Sequence, residues 1–124
     1  MTTKEVAEAL VAHCRNGTEA EGLATLYSPQ AVSEEAPGSP GAENGPAEGV
    51  EAIKGKHQWW DENFEVHGAE VDGPYVHGDM FAVNFGIDAT EKASGQRWQM
   101  KEVGLYHVAD GKIVREQFFM APMG

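Results

Sequence analysis

The sequence holds a single cysteine, Cys14, so no internal disulfide can form and nothing in the chain requires an oxidising compartment. Cys14 falls in a helical pattern, which suits a small buried residue better than a nucleophile. Bases are scarce as well: 9 lysines and arginines stand against 20 acids, a formal net charge of −11. Nucleic-acid binders and ligands of anionic membranes draw their affinity from Lys and Arg, so the charge argues against both. No apolar run approaches the roughly 20 residues of a membrane-spanning helix. The first residues are neither basic nor followed by an apolar run, so no signal peptide is expected. These absences predict a soluble, cytoplasmic protein. A length of 124 residues suits one domain, 1–124, with one real core.

What is present is organised around residues 97–120, which read as two long antiparallel strands joined near Asp110-Gly111. Two turns compete there. A two-residue turn centres on Asp110-Gly111. A three-residue turn places Gly111 in the left-handed conformation beside a bulge. Register then decides which side chains share a face. The three-residue turn pairs Val108 with Lys112, and sets Glu102 opposite Phe118, Gly104 opposite Glu116 and Tyr106 opposite Val114. One face then carries Trp98, Met100, Glu102, Tyr106, Val114, Glu116, Phe118 and Met120, an apolar wall with two embedded carboxylates. The two-residue turn puts Glu102 and Glu116 on opposite faces. The three-residue turn is the expectation, because its apolar face is the more coherent. A carboxyl in apolar surroundings has its charged form disfavoured, and its pKa rises toward a useful acid/base value. The plainer reading has both glutamates solvated or paired with Lys101 and Arg115.

Earlier in the chain, Thr2 or Thr3 caps a first helix that runs to Asn16 and stops at Gly17. Val6, Ala9, Leu10, His13 and Cys14 form its apolar stripe. Thr18 caps a shorter helix with Leu23, Leu26 and Tyr27 on its apolar side, ended by Ser28-Pro29. Residues 31–36 form a short strand candidate, in which one of Glu34 and Glu35 faces inward and the other faces water. Residues 37–49 are rich in Pro and Gly and are expected to hold no regular structure, as a lid or a flexible insertion. Residues 48–63 read as a third helix, with Val50, Ile53, His57, Trp60 and Phe64 on one stripe. Trp59 falls off that stripe and is free to cover a neighbouring element or a subunit contact. Residues 65–77 form a bent strand or a strand pair, irregular at Gly68, Gly73 and Pro74. In residues 80–91, Phe81, Val83, Phe85, Ile87 and Ala89 alternate with smaller or polar residues, the pattern of a strand. Helices and strands are segregated, which makes an α+β class. The helices are expected to lie across a strongly curved, mostly antiparallel sheet that encloses a cone.

Three stretches, 26–35, 49–53 and 108–116, resemble the NTF2-like superfamily, in particular its SnoaL-like and ketosteroid-isomerase-like branches. The match runs through nearly the whole chain in order and spacing. It implies the cone fold and commonly a homodimer through the outer sheet face, here Val103, Leu105, Arg115, Gln117 and Phe119. It does not imply one reaction, because the superfamily includes isomerases, cyclases, epoxide hydrolases, dehydratases and proteins that only bind. By spacing from Tyr27, Glu35 matches the isomerases' general base. Their first-helix tyrosine falls near Leu10, which cannot donate a hydrogen bond. Their protonated acid falls near residues 100–102, where only Glu102 can serve.

The expected site is a small-molecule pocket for an apolar ligand, lined by Trp60, Phe81, Val83, Phe85, Trp98, Tyr106 and Phe118. Its polar groups are His57, Glu102, Glu116 and Glu35. The expected chemistry is proton transfer next to a carbonyl, an isomerisation or an aldol-type cyclisation. Glu35 or Glu102 acts as base, and Tyr106 or His57 bonds the enolate oxygen. No metal or cofactor is implied, since no histidine spacing resembles a ligand set. Two rival readings share the fold: a non-catalytic binding protein, and a dimeric interaction protein whose cavity is filled by its own aromatics. An enzyme loses turnover on changing a carboxylate, a binder keeps its ligand, and an interaction protein has no sizeable cavity.

Overall fold

A computed structural model describes residues 1–120. Helix α1 (Thr3–Asn16) begins at a capping box. The Glu5 amide donates to Thr2 Oγ1 at 3.1 Å, and the Thr2 amide donates back to Glu5 Oε1 at 2.9 Å. It ends at Gly17, where φ is +70° and the Thr18 amide reaches the His13 carbonyl at 2.9 Å. Val6, Ala7, Leu10 and Val11 are buried on its inner face. Helix α2 (Glu19–Leu26) follows, and buries Leu23 and Leu26.

Strand β1 (Tyr27–Glu34) starts earlier than expected, directly after α2, and takes in Tyr27. The reason is its parallel pairing with the last strand, which draws Tyr27 level with Ile113. The register shifts between Tyr27 and Val32, and Pro29, which has no N–H to give, sits in that irregular stretch. The Pro- and Gly-rich segment is also more ordered than its composition suggests. It contains a 3-10 turn, Ala42–Asn44, and a two-residue strand β2 (Ala47–Glu48) paired antiparallel with β1. Trp59 packs against this segment: the place of a Cβ on Gly41, whose φ is +87°, lies 3.3 Å from its ring.

Helix α3 (Val50–Asn63) leads into four long strands, β3 (Phe64–His77), β4 (Met80–Glu91), β5 (Arg97–Ala109) and β6 (Lys112–Met120). The sheet order is β2-β1-β6-β5-β4-β3, with β1–β6 as its parallel pair. β3 is one strand, irregular between Val66 and Gly68 and between Asp72 and Tyr75. The fold is therefore α+β, three helices on a six-stranded, mostly antiparallel, curved and unclosed sheet. The core lies where α1 and α2 meet the inner face, around Leu10, Leu23, Ile53, Phe81, Val83 and Ile113.

The final hairpin differs from expectation in an instructive way. Ala109 pairs with Lys112, so the turn is the two-residue one. Asp110 and Gly111 both have positive φ, +52° and +73°, the mirror-image turn that fits the strand twist. Yet Glu102 and Glu116 still share a face. Val108 pairs with Ile113 and His107 with Arg115, which leaves Val114 as a bulge without a partner. One extra residue reverses the parity of everything beyond it. Tyr106 therefore lies opposite Glu116, Gly104 opposite Phe118 and Glu102 opposite Met120.

Candidate functional site

The inner face of β4, β5 and β6, roofed by α3 and the 37–49 segment, bounds an open pocket of about 900 Å³. That size suits a drug-sized organic molecule. Glu35, His57, Trp60, Phe85, Glu102, Tyr106, Glu116 and Phe118 all line it. Three of the expected residues do not. Phe81 and Val83 are sealed in the core, because α1 lies against their end of β4. Trp98 lies one inner-face position beyond Met100, the last β5 side chain to reach the pocket, and its buried Nε1 has no partner among the described residues.

The carboxylates sit in two different settings. At the deep end, Tyr27 Oη donates to Glu116 Oε2 at 2.5 Å, and Glu116 is only 2% exposed. Burial first, then the charge of Glu116, pushes the Tyr27 hydroxyl well above the usual phenol range, so it stays a donor. Neither Lys101 nor Arg115 pairs with Glu116. Arg115 points to the opposite face and bonds Glu34 at 2.5 Å. Thus Glu34 is the outward acid and Glu35 the inward one.

Toward the mouth, Lys56 of α3 bonds Glu35 Oε1 and Ser33 Oγ, both at 2.5 Å, and its ammonium stands 5.1 Å from the Phe118 ring centroid. Glu102 is next to this group without joining it. Burial pushes its carboxyl up to about 7, the charge of Glu35 adds to the rise, and Lys56 opposes it. Phe85 is its cross-strand neighbour on β4. A carboxyl that titrates near neutrality beside an apolar pocket is equipped for general acid–base work.

Tyr106 links the two settings. It is 2% exposed, stacks on Phe81 with centroids 4.7 Å apart, and meets Phe118 edge-on at 6.3 Å. Its ring lies back along β5 over Gly104. A Cβ there would stand 2.8 Å from Tyr106 Cε2 and 3.0 Å from its hydroxyl. Among the described residues nothing bonds that hydroxyl, and Tyr106 lines the pocket. Burial, followed by the charge of Glu116, keeps it protonated. Cys14 also reaches the pocket, but burial pushes its thiol up to about 12, so it is no nucleophile.

Sequence reasoning missed Lys56 and Tyr27. For Lys56 the signal was faint: a lysine beside the apolar stripe of α3, and an inward Glu35 in need of a partner. His57 lines the pocket half-buried. Among the described residues no three His, Cys, Asp or Glu side chains converge as a metal site.

A family model for the SnoaL-like domain matches residues 1–120. The chain belongs to the SnoaL-like family. A Mesorhizobium loti protein, provisionally named a SnoaL-like polyketide cyclase with carbohydrate phosphatase added in brackets, is 44% identical, with 96% of this chain and 99% of that one covered and a TM-score of 0.87. An NTF2-like protein from Burkholderia thailandensis shares the fold at 19% identity, over 98% and 92% of the two chains, with a TM-score of 0.84. A ketosteroid-isomerase-like protein from Catenulispora acidiphila, crystallised with trimethylamine, does so at 21% identity, over 96% and 86%, with a TM-score of 0.70. No curated protein matches the chain.

Proposed function

We propose that this SnoaL-like protein is an acid–base enzyme acting on an apolar carbonyl compound, by isomerisation or aldol-type cyclisation. The supporting observation is Glu102, a carboxyl raised to about 7 in a pocket where the Tyr106 hydroxyl has no partner among the described residues. Glu102, or Glu35 beside it, takes a proton from the carbon next to the carbonyl. The C–H electron pair becomes the C=C bond of an enolate, and the carbonyl π pair moves to oxygen. Tyr106 donates a hydrogen bond to that oxygen. In a substrate with a C=C next to the acidic carbon the enolate is a dienolate, which takes the proton back at the far carbon of that system. In a dicarbonyl substrate the enolate carbon attacks the second carbonyl, whose π pair moves to its oxygen, and that oxygen takes the proton from the carboxyl as the ring closes. The polyketide-cyclase part of the Mesorhizobium loti relative's name agrees with cyclisation, whereas its bracketed phosphatase part does not bear on a pocket of this chemistry.

The test is a thermal-shift screen against aromatic polyketides, steroids, terpenoids and small enones, repeated with Trp60→Ala. A compound that raises the Tm, less so in the variant, identifies the class. Its exchange of carbon-bound hydrogen in heavy water then measures the chemistry, and Glu102→Gln lowers that rate by about 10²- to 10⁴-fold. Stabilisation without exchange at any pH makes the protein a binder. No stabilisation by any class removes the reading.

The same reading includes a homodimer through the outer sheet face. Val103 and Phe119 are cross-strand partners there, with Phe119 53% exposed. Light scattering should give twice the chain mass, and Phe119→Asp should halve it. A wild-type monomer rules the dimer out.

A further inference from the structure

The Lys56–Glu35–Ser33 group raises a question that the acid–base reading leaves open: which of two neighbouring carboxyls moves the proton. We propose that Lys56 is a positioning residue that holds Glu35 in an ion pair and so leaves Glu102 as the carboxyl that exchanges protons with a bound molecule. The inference rests on the acid–base reading for its purpose, but its physical content does not need a substrate.

The geometry carries it. Lys56 has three donors, and Glu35 Oε1 and Ser33 Oγ take two of them at 2.5 Å each. Ser33 is buried, and the Lys56 and Glu35 side chains are only 22% and 19% exposed, so this is not a solvated surface pair. The ammonium lies over Phe118, which sits opposite Gly104 on β5. Lys56 is thus fixed from three sides, by the end of β1, by β6 and by its own helix. A carboxylate held this way has its charge matched and its oxygen occupied. Glu102, two residues from Gly104, has no such partner among the described residues.

The charged groups that act on Glu102 come from three elements. Glu35 lies just beyond β1, Lys56 is on α3 and Glu116 is on β6. Its cross-strand partner on β4 is the uncharged Phe85, and Glu70 and Asp72 of β3 and Lys101 of β5 line a second hollow that Glu102 also borders. Glu35 and Lys56 pull in opposite senses, because one anion disfavours a second while a cation favours it. Removing either one therefore moves Glu102 in a direction that the other does not. Proximity alone gives that pair of signs. A lysine that acts by holding Glu35 adds a dependence on Glu35. Lys56→Met made together with Glu35→Gln should therefore move Glu102 by an amount different from the sum of the two single shifts, and a simple sum overturns the positioning role.

The experiment is a pH titration of the glutamate side-chain carboxyl carbons by ¹³C NMR. The Glu102 resonance is assigned by its loss in Glu102→Gln. In the wild-type protein it should titrate near 7. Lys56→Met should raise that midpoint by about one unit, Lys56→Arg should return it toward the wild-type value, and Glu35→Gln should lower it. Near-UV circular dichroism on each variant shows whether the fold is kept. If Lys56→Met does not fold, the Arg and Gln variants still decide. Glu35→Gln that leaves the midpoint in place, or Lys56→Arg that moves it as far as a neutral residue should, overturns the proposal. A protein with the expected shifts but no hydrogen exchange on any compound keeps the Lys56 assignment and loses the acid–base reading. A protein with exchange but without the shifts does the reverse.

Discussion

Glu102 and Glu116 lie on the same face of the same hairpin, and the fold treats them differently. Glu116 is the more deeply buried, yet it has a phenol aimed at it: Tyr27 Oη at 2.5 Å. Glu102 is less enclosed and has apolar neighbours, a second carboxylate nearby and a lysine already engaged elsewhere. Burial with a matched donor makes a carboxylate part of the structure. Burial without one leaves a group whose proton is easily gained and lost near pH 7. A likeness of sequence position therefore conceals a difference of role, and the partner decides it.

Tyr27→Phe breaks the comparison most severely, because it strips Glu116 of its donor and makes it resemble a more deeply buried Glu102. A charged acceptor left without its hydrogen bond costs about 2 to 3 kcal/mol. Urea unfolding at pH 7 should show that loss, and Glu116→Gln, which keeps an acceptor for Tyr27, should lose less. A change under about 0.5 kcal/mol in Tyr27→Phe would mean that the Tyr27 bond does not hold Glu116 in place.

Glu102→Gln acts on the other member. The folded protein holds the Glu102 proton up to about 7, whereas an ordinary glutamate loses it near 4.5. Between those values the native state binds more protons than the unfolded one, so stability falls as pH rises through the window and levels off above it. The loss attributable to this carboxyl is on the order of 2 kcal/mol, allowing for its partial exposure. The variant should lack that slope and be more stable than the wild type at pH 8. Equal slopes in the two proteins would show that Glu102 does not titrate where burial puts it.

Gly104 divides the two settings, and a methyl group there tests whether Tyr106 must lie along β5. Gly104→Ala places a carbon 2.8 Å from Tyr106 and 3.1 Å from Phe118. Overpacking of this kind costs about 1 to 2 kcal/mol. Gly86→Ala is the control, since its nearest neighbour would be 3.6 Å away, an ordinary contact. If both variants melt alike, the ring is free to move and its aim into the pocket is not imposed by the strand.

How much of this the sequence disclosed depends on whether the cause was local. The alternation in β4 and β5 and the stripes of α1 and α3 name most of the pocket wall, because periodicity assigns faces. The turn was misjudged, since Asp-Gly serves both turn types, and a bulge at Val114 restored the shared face for a reason the sequence does not display. Phe81 and Val83 obey the same alternation as Phe85. Which of them is sealed depends on where α1 lands. Lys56 meets Ser33 across 23 residues and Tyr27 meets Glu116 across 89, so neither contact leaves a local trace. The 37–49 segment takes its order from the edge of β1 and from Trp59, not from its own composition.

A third acid sets the lower bound of the comparison. Glu34 also has a partner, Arg115 at 2.5 Å, but the two side chains are 38% and 43% exposed. In water-like surroundings the attraction is largely offset by hydration and by the freedom of two long side chains. In the monomeric Phe119→Asp background, where that face is open to water, Arg115→Ala should therefore change stability by no more than about 0.5 kcal/mol, and salt should remove most of that. The same carboxylate chemistry would then have three outcomes on one protein: firm support where a buried donor meets it, a mobile proton where none does, and almost nothing where water can take the partner's place. A loss above about 1 kcal/mol in Arg115→Ala on the monomeric background would break that series. In the wild-type dimer, whose proposed interface covers the outer face, the same change should cost more than it does in the monomeric variant.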